Sequence, residues 1–286
     1  MLPNPIFELL GRGVHMYGVF IALGLIACII VLFTYAKKRN MPPELTDFIF
    51  FLAVFAIAIG FLFGMLFQAT YNWIESGFKE FDFYSGMTVM GGLIGGAGTF
   101  LLGYFLIGKF YFKGKNKNVH IKHFGNLLGF APCCITIAHA FGRLGCLMAG
   151  CCHGEYLGSE KVLGGIYMRG MTNGWGYYVP TQLYEALFLF VLFAVLSILY
   201  FKRVNVIIHI YLIAYAIWRI FIEFFRGDNR GVFLGEGLSP SQWQSIIFII
   251  LGAVLFGIYI WKKIPFRLPP FEKQEKTEKT NKKKES

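Results

Sequence analysis

The sequence predicts an all-α protein of seven transmembrane helices, with its N-terminus outside and its C-terminus in the cytoplasm. Three observations predict this. The 286 residues are 56% hydrophobic and only 15% charged, too apolar for an ordinary soluble domain. Seven runs nearly free of charge are each long enough to span a bilayer, at about 15–36, 48–70, 86–108, 124–147, 180–201, 204–225 and 239–261. Basic residues gather on alternate connections, which is the positive-inside pattern.

The first run is read as a retained span. Arg12 is the only early basic residue, and no small-residue cleavage site follows. Lys37, Lys38 and Arg39 close it on the inner side. Lys109, Lys113, Lys115, Lys117 and Lys122 lie between spans three and four, and Lys202 and Arg203 between spans five and six. With nine more after span seven, these make 19 of the 27 basic residues. The net charge of +11 is therefore distributed by topology, and no nucleic-acid partner is expected. A β-barrel is disfavoured, because the apolar runs are continuous and do not alternate. No internal repeat is evident. Residues 1–263 read as one transmembrane domain. Residues 264–286, with Lys282, Lys283 and Lys284 among interspersed Glu, read as a basic disordered cytoplasmic tail near anionic lipid heads.

This topology gives each polar or glycine-rich oddity a depth. His15 and Tyr17 open span one, and Gly91, Gly92, Gly95 and Gly96 fall in the outer half of span three. Arg143 lies at the outer end of span four. Gln182, Tyr184 and Glu185 begin span five, Arg219, Glu223 and Arg226 end span six, and Gln242 and Gln244 begin span seven. Six spans thus place unusual residues at one leaflet, which predicts a single site open to the outer side. A transporter would favour midplane sites in repeated halves.

Residues 139–154 are the densest in chemistry. His139, Arg143 and Cys146 stand at i, i+4 and i+7, one face of a helix. An arginine beside hydrocarbon is costly and usually functional. Arg143 and Arg219 have two readings. They form internal ion pairs, Arg143 with Glu185 and Arg219 with Glu223, or their planar forks clamp a phosphate while the glutamates orient them. The phosphate most available at that depth is a lipid headgroup. The Gly91-Gly92 and Gly95-Gly96 pairs permit either close helix packing or close approach of a headgroup. Cys28, Cys133 and Cys134 read as small apolar fillers. Cys146, Cys151 and Cys152 face an outer compartment where a disulfide can persist, and read as structural or redox-linked. The spacing C-x4-C-C-H, ending in His153, fits no common zinc signature, so neither a metal nor a cofactor is expected. A thiol-redox protein would leave Arg219 and the glycine pairs unexplained.

With these residues in place, the chain resembles the prolipoprotein diacylglyceryl transferase family of bacterial membrane enzymes. The matching pieces run in order: Tyr17-Gly18, then Gly86 through Gly95, then Gly142-Arg143-Leu144-Gly145 through Gly154. After these come Pro180-Thr181-Gln182-Leu183-Tyr184-Glu185, Tyr215 through Arg219, Glu223-Phe224-Phe225-Arg226, Leu238-Ser239 and Gln242. The resemblance implies transfer of diacylglyceryl from phosphatidylglycerol to the thiol of a prolipoprotein signal-peptide cysteine, with release of glycerol phosphate. It also implies residence in the bacterial cytoplasmic membrane, surrounded by membrane lipids, with a site facing the outer leaflet. Arg143 and Arg219 correspond to the family's essential arginines. Catalytic roles are expected for Arg143, Arg219, His139 and Glu223. Binding of phosphatidylglycerol is expected for Arg143, Arg219, Tyr17, Gly91, Gly92, Gly154, Gln182, Tyr184, Glu185 and Arg226. The chain departs from the family pattern at four places. Met90 replaces the histidine before the glycine pair, Cys146 an asparagine, Cys151 a glutamate, and Phe61 stands near a span-two arginine. His139 or His153 is the local substitute for the missing imidazole. These departures leave a paralogue with another acceptor as the alternative.

Overall fold

A computed structural model of the chain describes residues 7–9, 12–170, 173–227 and 237–268. Every apolar run is helical. The helices are α1 (Met16–Lys38), α2 (Pro43–Glu75), α3 (Val89–Tyr111), α4 (Val119–Ala149), α5 (Thr181–Phe201), α6 (Ile207–Glu223) and α7 (Pro240–Trp261). All except α6 are long and apolar enough to cross a membrane. Their outward faces are apolar as well, with Phe51, Leu102, Val191 and Ile250 exposed. Helices hydrophobic all round belong in lipid or in a deep core.

Local signals set the helix ends. Pro43 starts α2, where its missing N–H is no loss and its φ is already helical. α2 stops at Ser76 and Gly77, whose φ of +70° a Cβ would resist. α7 opens with a reciprocal cap: Gln242 N donates to Ser239 Oγ at 3.3 Å, and Ser239 N donates to Gln242 Oε1 at 2.9 Å. The Leu238-Ser239 and Gln242 pieces therefore have a capping reason. The helices α2 and α4 run to 33 and 31 residues, longer than expected, because nothing in their polar flanks stops the helix sooner.

The all-α expectation holds for the helices and not for the connections. Strands β1 (Phe7–Leu9) and β2 (Arg12–Val14) form a hairpin ahead of α1. Between α4 and α5, strands β3 (Tyr156–Gly158), β4 (Ile166–Gly170) and β5 (Gly174–Tyr178) form an antiparallel sheet in the order β3-β5-β4. Its alternation is short but regular. Met168 and Tyr178 point inward onto Leu147, while Tyr167 and Trp175 stack outside, ring centroids 5.7 Å apart. Gly170 leaves room for the Tyr178 ring.

The described residues divide into two compact units, one made of those up to Tyr35 with those from Leu128 onward, the other of Ala36–Leu127. In the first, α1 meets α4 at glycines. A Cβ on Gly24 would lie 2.9 Å from Phe141 Cβ, and one on Gly145 3.2 Å from Tyr17 Cδ2. The Tyr200 hydroxyl of α5 donates to Tyr35 O at 2.6 Å, and Phe188 of α5 stacks on Trp218 of α6 at 4.3 Å. Of the expected tail, residues 264–268 fold back, with Arg267 pairing Val204 and Leu268 N donating to Arg203 O at 2.8 Å. The remainder, from 269, lies outside the described residues.

In the second unit, α2 and α3 pack through small residues, as helices in lipid do. A Cβ on Gly91 would lie 2.6 Å from Phe67 Cβ and 2.7 Å from Phe63 O. Gly92 faces Gly60 O. Thr88 N donates to Gly64 O at 3.0 Å, pinning the start of α3. Of the two readings of the glycine pairs, close packing has a direct structural cause.

Candidate functional site

Helices α4, α5 and α6 each bring charge to one point in the first unit. On α4, His139 and Arg143 are one turn apart. On α6, Tyr215, Arg219 and Glu223 stand at intervals of four and share a face. Glu185, just inside the start of α5, receives them. Arg143 Nη2 lies 3.0 Å from Glu185 Oε1, and Arg219 Nη1 3.6 Å from Glu185 Oε2. The Tyr215 hydroxyl donates to Glu185 Oε1 at 3.4 Å, and His139 Nε2 approaches the same oxygen at 3.8 Å. Arg219 Nη2 also meets Glu223 Oε2 at 2.9 Å. The His139 ring lies edge-on to Tyr215, centroids 5.4 Å apart. Both ion pairs read from the sequence are present, and Glu185 joins them into one cluster.

Burial gives this arrangement its energetic weight. The Glu185 side chain is 1% exposed, Arg219 7% and Arg143 14%. A buried charge is tolerated only when paired, and loss of one partner costs about 3–5 kcal/mol. Two arginines and two glutamates balance formally, yet the hydrogen bonding is incomplete. Arg143 Nε, Arg219 Nη1 and Glu185 Oε2 are buried without a hydrogen-bond partner. Buried polar groups are nearly always satisfied, so such gaps require an explanation. Two guanidinium groups converging on one carboxylate, with donors to spare, can hold an anion that reaches both. Tyr215 was missing from the residues expected at the site. Its spacing of four from Arg219 was the available signal.

Other expected residues also make contacts in the scaffold around this cluster. Gln182 is buried and donates from Nε2 to Cys151 O at 2.6 Å, while Thr181 Oγ1 donates to Cys152 O at 3.0 Å. The start of α5 therefore clamps the turn that follows α4. The Tyr184 hydroxyl donates to Gly164 O at 3.1 Å, and its ring lines an apolar groove of about 490 Å³ with Phe188, Val191, Trp218 and Phe225. Tyr17 packs beside Gly145. Gly91 and Gly92 lie in the second unit, against α2.

Gly154 is where three segments cross. Its N–H donates to Val179 O at 2.8 Å, its backbone pairs with Arg226, and a Cβ would stand 2.8 Å from Val179 Cβ and collide with Phe225 O. Backbone cannot yield as a flexible side chain can. Gly154→Ala is expected to destabilise the protein by about 1–3 kcal/mol, read as a lower thermal midpoint in detergent. An unchanged midpoint would show that the crossing has slack.

Among the cysteines, none of the six is in a disulfide. The sulfurs of Cys146, Cys151 and Cys152 all lie within 4.8 Å of one another. His153 is buried, with Nδ1 2.9 Å from Gly154 O and its ring 4.4 Å from that of Tyr178.

A multi-span helical membrane protein with paired arginines buried around one carboxylate is the class that this fold and site define. Comparison with known proteins narrows it. Residues 4–258 match the family described as prolipoprotein diacylglyceryl transferase. The phosphatidylglycerol–prolipoprotein diacylglyceryl transferase of Clostridium tetani is 32% identical over 90% of this chain and 98% of its own length. The enzyme of that name from Staphylococcus xylosus is 30% identical over 93% of this chain and 91% of its own, and one from Dehalococcoides mccartyi is 32% identical over 87% and 90%. The chain belongs to the prolipoprotein diacylglyceryl transferase family.

Proposed function

We propose that this chain transfers a diacylglyceryl group from phosphatidylglycerol to the thiol of a prolipoprotein cysteine, the lipid-adding step of lipoprotein biogenesis. The observation that carries the reading is the convergence of Arg143 and Arg219 on Glu185, with donors left over, in a member of this family. The headgroup phosphate binds across the two guanidinium forks, which match its oxygens better than point charges do. Glu185, Glu223 and the Tyr215 hydroxyl hold the forks in place. One acyl chain lies along the groove between α5 and α6. The substrate sulfur attacks the glyceryl carbon, the carbon–oxygen bond to phosphate breaks, and glycerol phosphate departs with the electron pair. Charge grows on that phosphate oxygen, and fixed cationic donors there are typically the largest catalytic contribution.

The thiol proton needs an acceptor. His139 takes this role in place of the imidazole that the family carries where Met90 stands here. It lies one turn from Arg143 on the same face and beside the shared carboxylate. A neutral imidazole suits a thiol whose pKa is about 8.5. His139→Gln keeps size and hydrogen bonding but removes the base. Transfer is expected to fall ~10²-fold or more, with partial recovery at high pH as the thiol ionises unaided. Wild-type rates in His139→Gln would assign the histidine to packing.

All seven helices cross the cytoplasmic membrane, N-terminus out, and the site opens to the outer leaflet. At 1.5 Å per residue, the 17 residues of α6 reach about 26 Å, so its flanks at Val206 and Phe224 complete the crossing. Reporter fusions after Lys117 and after Arg203 should read cytoplasmic, and fusions near Lys161 external. A cytoplasmic signal near Lys161 would overturn the placement of the site. The activity itself is tested by complementation. A strain depleted of its own diacylglyceryl transferase should regain lipid-modified lipoproteins, read by mass spectrometry, and failure with correctly inserted protein would count against the reading.

A further inference from the structure

We propose that Cys146, Cys151 and Cys152 form a three-thiolate site for a soft monovalent cation, Cu(I), at the end of α4. This stands on features that the transferase chemistry does not use, since the attacking thiol there belongs to the substrate. Among the described residues, these three make the one cluster of histidine, cysteine or acidic side chains close enough to share an ion.

The backbone is shaped to bring them together. Successive residues of an extended chain point to opposite sides, so vicinal cysteines do not ordinarily converge. Here α4 ends at Ala149, Gly150 takes φ +70° and Cys152 takes φ +59°. A non-glycine residue in that left-handed region is uncommon and tends to be held there by its surroundings. Those surroundings are visible. Cys151 N donates to Cys146 O at 3.2 Å, and the carbonyls of Cys151 and Cys152 are fastened from α5 by Gln182 and Thr181 at 2.6 and 3.0 Å. Gly150 tolerates no side chain, because a Cβ there would run into Arg169 O. Strand β4, the start of α5 and the end of α4 thus hold one turn, and that turn presents two sulfurs to the third.

The donor set selects the ion. A three-coordinate ion with metal–sulfur bonds of about 2.3 Å needs sulfurs about 4 Å apart, compatible with this cluster after small side-chain rotation. Thiolates favour soft cations, and zinc in structural sites takes four ligands. Among the described residues the converging ligand atoms are those of Cys146, Cys151 and Cys152, and His153 is not in the group, so the set is three sulfurs. On binding, the thiols release their protons to water, the three sulfurs bond to copper, and no electron is transferred.

The test uses the full chain, reduced, in detergent or lipid nanodiscs, titrated with Cu(I) against a chromogenic Cu(I) chelator. One Cu(I) per chain is expected. Cys146→Ser, Cys151→Ser and Cys152→Ser should each weaken binding at least about ten-fold, since even partners outside the ligand shell matter by that much. Cys28→Ser and Cys133→Ser should not weaken it. Copper-edge X-ray absorption on the wild-type chain, which needs no variant to fold, should show sulfur neighbours alone at about 2.3 Å. Binding unaffected by all three substitutions, nitrogen or oxygen neighbours at the copper, or zinc bound more tightly than Cu(I) would overturn the assignment. So would a Cys146–Cys151 or Cys146–Cys152 disulfide in protein isolated without added oxidant.

Discussion

Alanine at Arg143 or at Arg219 is expected to lower diacylglyceryl transfer by ~10²–10³-fold or more, the range seen when a single fixed donor to a developing oxyanion is removed. Each guanidinium supplies several donors and a full charge, so the upper end is expected. Alanine also strips Glu185 of a partner while burying its charge, which by itself costs about 3–5 kcal/mol. Lysine separates the two effects. Arg143→Lys keeps a cation on a flexible stem beside Glu185, so insertion and folding should survive. Transfer should still be largely lost, because a point charge does not replace a planar fork on phosphate. Transfer is measured as lipid-modified peptide per unit of inserted protein. Full activity in Arg143→Lys would count strongly against bidentate phosphate binding.

The second large effect is expected at Glu185. It is the most buried member of the cluster, and its carboxylate forms an ion pair with both arginines. Glu185→Gln keeps the shape and, among the described residues, leaves Arg219 with Glu223 and takes the carboxylate from Arg143. A loss of about 3–5 kcal/mol should lower the thermal midpoint by roughly 10 °C for a chain of this size, and transfer should fall with it. Glu223→Gln should be milder in stability, because among the described residues Glu223 pairs with Arg219 and not with Arg143. Equal midpoints for Glu185→Gln and the wild type would show that the two arginines do not depend on this carboxylate.

The helices were legible because their signal is redundant. Each apolar run is long, uninterrupted and bounded by charge or proline, and bilayer thickness fixes the length required. Ends were less legible, since helix continues into polar flanks where no glycine or proline intervenes, as in α2 and α4. The sheet between α4 and α5 was missed. Its strands are three to five residues long and rich in glycine, and its inward positions alternate small with large, Gly170 and Gly176 among Met168 and Tyr178. A hydropathy pattern of period two hardly shows over so few residues. At the site, Arg143, Glu185, Arg219 and Glu223 could be paired from the sequence because a buried charge needs a partner and few exist. Tyr215 escaped because a tyrosine among apolar residues raises no such demand. Gln182 and Gly154 were expected at the lipid. The structure also gives them architectural contacts, Gln182 with the Cys151 carbonyl and Gly154 with a backbone crossing. Such contacts join segments far apart in the chain, which no local sequence pattern reveals.

The measurement that bears most directly on the central claim is transfer by the purified chain in vesicles of defined lipid. Vesicles containing phosphatidylglycerol, given a synthetic peptide that carries a prolipoprotein signal sequence and its cysteine, should yield peptide heavier by one diacylglyceryl group. The adduct should sit on the cysteine sulfur, and glycerol phosphate should appear in equal amount. Vesicles lacking phosphatidylglycerol, and a peptide with serine in place of that cysteine, should yield none. An unmodified peptide with folded wild-type protein and phosphatidylglycerol present, or lipid found on another acceptor in its place, would contradict the account.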